Sequence, residues 1–282
     1  MLGRNHRRLC CRLLLLAVII FCIPLQGTAA PCAPLESHDI VARVVRHELD
    51  AAPTQGRWMY TATYTKDSVV NVARRIETDD GVLTWVISHN GVPLSDSEKA
   101  SQRAALNNLI SSPDLLDRNR KATQADALRI NTLLQDLPDS VQFDCIERSG
   151  DTASVHFSPR AGYAPWNIEQ RVIAGMSGTL KLNLNETRLI TADGTMQDDL
   201  SLLFGLGRIY KGSSVSLKRA TTVTGAWETT SVSTHINGQI FFLKTIAQNR
   251  DETRSDYCPV KRPLSAQNAL PYLEDPQCPP IR

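Results

Sequence analysis

Long apolar runs are scarce in this sequence. The uncharged stretch near its start, Leu13 to Ile23, covers eleven residues, about half of what a bilayer-spanning helix needs. A multispan membrane protein is therefore excluded. Aromatic residues make up 6% and charged residues 21%, against 42% hydrophobic. That balance suits a folded globular chain and excludes a disordered or fibrous one. Excess charge of either sign is also missing. The formal charge is +2, but Arg4, Arg7, Arg8 and Arg12 stand in the first twelve residues. Beyond residue 30 there are 27 basic residues against 29 acidic ones. A nucleic-acid-binding surface has no compositional support.

Chemical signatures are absent too. His47-Glu48 begins the pattern of a helical zinc protease, but alanine stands at position 51 where the second histidine belongs. His38, His89, His156 and His235 are scattered. Ser177, in Gly175-Met-Ser-Gly-Thr179, lacks the glycine two residues on that a nucleophile elbow requires. Asp198-Asp199 has no third ligand at useful spacing. There is no phosphate loop and no dinucleotide fingerprint. The expectation is a non-enzyme with no metal and no cofactor.

What is present begins with an address. Residues 1–12 are basic, Leu13 to Ile23 is apolar, Pro24 breaks the run, and Gly27 to Ala30 supplies small residues. This three-part pattern reads as a secretory signal peptide over residues 1–30, with the alternative of an uncleaved anchor. A periplasmic or secreted protein is expected. Cys10, Cys11 and Cys22 fall in that segment. Cys32, Cys145, Cys258 and Cys278 remain, an even set for an oxidising compartment. Three pairings are open, among them Cys258 with Cys278 and Cys32 with Cys145. Free thiols are the alternative.

Beyond the leader, apolar spacing predicts a helix over Glu36–Ala51, carried by Ile40, Val41, Val44, Val45 and Leu49. Trp58 to Thr65, Val69 to Thr78 and Val82 to Ser88 alternate as strands, and Asp79-Asp80-Gly81 is a hairpin signal. Ser95 and Glu98 form a capping-box pattern ahead of a helix. Ser112-Pro113 marks a second start. Thr123 to Leu137 is a third helical stretch, with Ile130, Leu133, Leu134 and Leu137 on one face and Pro138 as its stop. From residue 140 the chain reads as strands and turns. Val141–Arg148 is expected as one strand, Arg160–Ala174 as a connection, and Asn237-Gly238 as the turn joining Val223–Thr234 to Gln239–Gln248. Asn185-Glu-Thr187 is a turn that also matches a glycosylation acceptor. The tail from Cys258 to Arg282 holds six prolines and no glycine. It is expected as an extended arm or a disordered end. Residues 31–257 then make one domain, mainly β.

Three blocks carry a family resemblance. They are Ser177-Gly-Thr-Leu-Lys-Leu-Asn-Leu-Asn-Glu-Thr-Arg-Leu-Ile190, Leu203-Phe-Gly-Leu-Gly-Arg-Ile-Tyr-Lys-Gly212, and Trp227-Glu-Thr-Thr with the strands after it. With the order helix, three strands, helical insert and many strands, the chain resembles the lipoprotein-localisation carrier superfamily (LolA/LolB-like) of bacterial envelopes. The resemblance implies an α+β fold, mainly β. Its sheet is a strongly curved antiparallel one, an incomplete β-barrel, with helices covering the concave side. It implies a cavity for a lipid or acyl chain, only transient membrane contact, and no catalysis. Trp58, Tyr60, Tyr64, Trp85, Leu180, Leu182, Trp227 and Phe242 are the expected cavity lining, with Ile130, Leu133 and Leu137 as its lid. The alternative is a partner-binding or stress-sensing module for another envelope protein.

Overall fold

The computed structural model describes residues 34–52, 56–66, 68–202, 207–240, 244–274 and 278. The expected signal peptide, Cys32 and Phe242 lie outside the described residues.

The chain opens with helix α1 (Pro34–Ala51), followed by strands β1 (Arg57–Lys66), β2 (Val69–Thr78), β3 (Gly81–His89) and the two-residue β4 (Val92–Pro93). Two helices come next, α2 (Asp96–Ser111) and α3 (Pro113–Ser140). Then follow β5 (Val141–Phe143), β6 (Glu147–Ser149), β7 (Thr152–Pro159), α4 (Ile168–Ala174), β8 (Met176–Asn183) and β9 (Arg188–Met196). The last part holds β10 (Leu200–Leu202), β11 (Gly207–Ile209), β12 (Ser214–Thr221), β13 (Trp227–Ile240), β14 (Lys244–Val260) and α5 (Ala266–Glu274). All fourteen strands belong to one antiparallel sheet, ordered β4-β3-β2-β1-β14-β13-β12-β9-β8-β7-β5 along its main path. β4 and β5 end that path without pairing, so the sheet is open. α3 packs on β3 and leads directly into β5, near opposite ends of the order.

One row of cross-strand partners shows what the sheet presents. His89, Asn71, Tyr64, Glu252, Val232, Leu217, Ala192, Leu180 and Val155 pair in succession from β3 to β7. Directly opposed residues share a face. The face is polar on the β1–β3 side and apolar from β13 to β7. The apolar half is buried under Ile40, Val41, Val44 and Val45 of α1, Ile173 of α4 and the partly buried leucines of α3. The opposite face of β1–β3 has its own core. There Met59, Ile76, Leu83 and Trp85 pack on Leu106 of α2 and on Ala266, Ala269 and Leu273 of α5. Trp58 and Met59, adjacent in sequence, therefore belong to different cores, as the two-residue period of a strand requires.

Several expectations need correction. α3 runs unbroken from Pro113 to Ser140, merging two expected helices and passing Pro138. A proline this near the end disturbs only the last turn, since few donors follow it. Arg160–Ala174 contains α4, capped by the Asn167 side chain, which accepts from the Gln170 N–H at 2.7 Å. The expected strand Val141–Arg148 is two, β5 and β6.

Asn237-Gly238 is not a turn but lies inside β13. A Cβ on Gly238 would come within 2.5 Å of the Arg208 carbonyl oxygen. The glycine serves a close approach of β11, which pairs with β13 here.

The described part of the tail is also ordered. β14 carries it to Val260, α5 buries Leu273 completely, and Cys258 bonds Cys278 with Cα atoms 5.6 Å apart. Proline does not exclude this, because the helix places its apolar residues at 266, 269 and 273, and Pro271 falls between them. Cys145 is disulfide-bonded as well.

Candidate functional site

The eight residues expected to line one cavity fall in separate places. Trp58, Tyr60 and Tyr64 come together on the polar half of the concave face, where Ala62 and Tyr257 join them. Leu180 and Leu182 are buried in the apolar half. Trp85 points to the opposite face, because it is paired with Arg74 and is one step out of phase with β3's concave-facing residues. Trp227 begins β13 and its indole N–H donates to Glu186 Oε2 at 2.6 Å, outside these clusters. Among the lid residues, Leu133 and Leu137 pack against the core that contains Leu180 and Leu182. Ile130 does not, being 57% exposed. It sits one turn before Leu133, outside that core.

The centre of the concave face is built from charge and aromatic rings. Glu252, almost fully buried, receives Arg75 at 2.8 Å, Arg254 at 2.7 Å and Arg250 at 2.6 Å. Burial alone would raise the Glu252 carboxyl. Arg254 and Arg75 outweigh it and hold the group at about 2. Arg75 lies over the Tyr64 ring and Arg254 over the Tyr60 ring, at 5.1 and 5.2 Å. Tyr60 stacks on Tyr257 with centroids 5.2 Å apart, and Trp58 meets Tyr257 edge-on at 5.8 Å. Farther along, Glu48 of α1 binds Arg219 at 2.6 Å and Arg188 at 3.3 Å.

At one end of this belt is a cleft of about 320 Å³. Its wall is formed by the end of α1 (Ala52), the start of β1 (Arg57, Trp58), the β2–β3 hairpin (Glu77 to Val82), the middle of α3 (Arg120, Thr123, Gln124), Glu228 and Arg262. The hairpin fits against α3 because Gly81, at φ +101°, has no side chain to meet Asn119 and Thr123. Asn119 Nδ2 donates to the Asp80 carbonyl at 2.9 Å.

Three acidic residues line this cleft, Glu77, Asp79 and Glu228, and burial shifts two of them. Glu77 Oε2 accepts the Trp58 backbone N–H at 3.1 Å, yet burial pushes the group above its ordinary value. Burial, with the nearby charge of Glu77 second, pushes Glu228 up to about 7 against the pull of Arg219 and the Trp58 indole. Neither Trp58 Nε1 nor Glu228 Oε1 completes a hydrogen bond of good geometry, although both atoms are buried.

No group of histidine, cysteine and carboxylate side chains suited to a metal occurs among the described residues. Ser177 is the second residue of β8. Asp199 accepts the Lys211 N–H at 2.9 Å and pairs with Arg208, as a turn residue does.

No family model matches the chain, and no similar curated protein or solved structure was found.

Sequence reasoning missed Glu77, Glu228, Glu252, Arg75 and Arg254. Their one local signal is position. In β2, β13 and β14 they fall on the same face as Trp58, Tyr60 and Tyr64 of β1, where a solvated face would have carried no aromatic residues.

Proposed function

We propose that this chain is an exported, non-enzymatic binding protein that holds a lipid or acyl chain between α3 and the apolar half of the concave face. It would work in the manner of the LolA/LolB-like carriers that its strand blocks resemble. One observation carries the reading. Leu133, Leu134 and Leu137 of α3 pack on the buried core around Leu180 and Leu182 but remain only partly buried themselves. A cover held by incompletely buried leucines can be replaced by an acyl chain, because each CH₂ taken from water contributes about 0.8 kcal/mol. The ordered cysteine pair supports an oxidising compartment.

The test is uptake of a fluorescent fatty acid. Wild-type protein saturates. Leu133→Asp binds at least tenfold more weakly with its circular dichroism unchanged, and Ile130→Asp, at an exposed position, binds normally. Equal uptake by all three removes the role of the lid.

A second reading, docking of an envelope protein partner, has one observation in its favour. Trp166 is 81% exposed beside the 45% exposed Ile168, an apolar pair at the start of α4. Under this reading Trp166→Ala loses a crosslinked partner and keeps acyl uptake.

A further inference from the structure

Three of the four tryptophans are buried or bonded within the chain. Trp58 and Trp85 are 4% and 7% exposed, and the Trp227 indole bonds Glu186. Trp166 stands apart at 81% exposed, one residue before Asn167, the cap of α4. An indole left in water forgoes the burial of a large apolar ring.

Looseness of the loop does not account for this exposure. Ser140 Oγ donates to the Tyr163 hydroxyl at 3.0 Å, and the Tyr163 N–H bonds the Arg160 carbonyl at 3.3 Å. Arg160 Nη1 donates to the Asp139 carbonyl at 3.1 Å. The Trp166 N–H donates to Gln170 Oε1 at 3.1 Å, and Gln170 is buried. The backbone on both sides of the ring is held, so little ordering remains to be done on binding.

The neighbours of the ring describe what it fits. Ile168 and Arg171 stand three apart on α4 and share a face. Arg171 is exposed and makes no ion pair among the described residues, and Arg160 is exposed on the other side of the loop. Glu169 and Asp139 supply negative charge close by. An indole and an aliphatic chain among guanidinium and carboxylate groups match a zwitterionic phospholipid surface. The ring lies at headgroup level, the guanidiniums take phosphates and the carboxylates take ammonium groups. A protein partner is the poorer fit. A stable protein interface takes roughly 800 Å² from each side, and Trp166 with Ile168 is a minor part of that. The Ser140–Tyr163 bond also fixes the loop to the end of α3, and Ile173 of α4 is buried in the core that Leu133 and Leu137 cover.

We infer that Trp166 and Ile168 dock this protein on a phospholipid surface, with Arg160 and Arg171 at lipid phosphates. With two apolar side chains engaged, the contact is weak and reversible. It goes beyond the acyl-chain reading and does not require it.

Flotation of the intact protein with vesicles of phosphatidylcholine and phosphatidylethanolamine tests this. Wild-type protein floats with the vesicles, and brominated phosphatidylcholine quenches its tryptophan emission. Trp166→Ser partitions about tenfold more weakly, and Trp166→Phe loses the quenching. Val223→Ser, at a residue 98% exposed on the β12–β13 hairpin, floats as the wild type does. Leu133→Asp also floats normally while losing acyl uptake, so the two readings fail separately. The inference is overturned if wild-type protein stays with the lipid-free fraction, and a crosslinked partner that depends on Trp166 would then assign the ring to a protein. It is also overturned if Trp166→Ser floats as the wild type does, or if Val223→Ser or Leu133→Asp loses as much as Trp166→Ser.

Discussion

Glu48 on α1 and Arg219 on β12 meet at 2.6 Å, and both side chains are nearly buried. The second oxygen of Glu48 accepts the Leu189 backbone N–H at 2.9 Å, and Arg188 stands at 3.3 Å from the first. One carboxylate thus pins the helix to two strands of the concave face. Removing it leaves two buried guanidinium groups without their counter-charge. Glu48→Ala is expected to destabilise the fold by about 3–5 kcal/mol. Glu48→Gln, which keeps an acceptor for Leu189, is expected to cost less. Urea unfolding of the three proteins measures the difference.

Stability should pass through a maximum in mildly acidic solution, for two opposed reasons. Glu228 rises from an ordinary 4.5 to about 7 on folding. Its contribution is complete below pH 4.5 and is lost as pH rises through 7. Glu252 falls from 4.5 to about 2. Its contribution is complete above 4.5 and is lost as pH falls through 2. The melting temperature should therefore drop on both sides of about pH 5. Glu228→Gln flattens the alkaline limb and leaves the acidic limb in place. An unchanged alkaline limb in that variant contradicts the assignment.

Gly238 is needed for a close approach, not for a turn. Gly238→Ala places a methyl group against the Arg208 carbonyl, and overpacking of this kind costs about 1–3 kcal/mol. Hydrogen exchange should quicken along the β11–β13 pairing, including the Tyr210 N–H that bonds the Asn237 carbonyl. If Asn237-Gly238 were a hairpin turn, the effect would centre instead on a bend between two new strands.

The tail is structural. Leu273 is fully buried between β2, β3 and α2, and Arg74 Nη1 donates to its carbonyl at 2.5 Å. Leu273→Ala should cost about 2–5 kcal/mol. Ending the chain at residue 262 should expose Ile76 and Leu83 and cause aggregation. Calorimetry and light scattering check both, and a truncated chain of normal stability would contradict this placement.

Local signals were legible where the chain alone decides the outcome. β2 begins and ends where the alternation and the flanking turn residues place it. The capping box forms as expected: the Glu98 N–H reaches Ser95 Oγ at 3.3 Å, and the Ser95 N–H reaches Glu98 Oε2 at 2.7 Å. What stayed hidden depends on contacts distant in sequence. Glu77 and Glu228 meet only because β1 lies between β2 and β14, and β14 pairs with β13. Asn237-Gly238 carries the same dipeptide whether a turn or a crowding neighbour demands the glycine. The aromatic alternation of β1 identified its two faces. It gave no sign that both would be covered, one by α5 and one by the ring of Tyr257.

The most direct test of the proposed function is native mass spectrometry of the protein purified from its own compartment, followed by organic extraction. The account predicts a bound lipophilic mass that is absent from the Leu133→Asp variant. Protein that is empty as isolated, and that also refuses added fatty acids and lipopeptides, would contradict it.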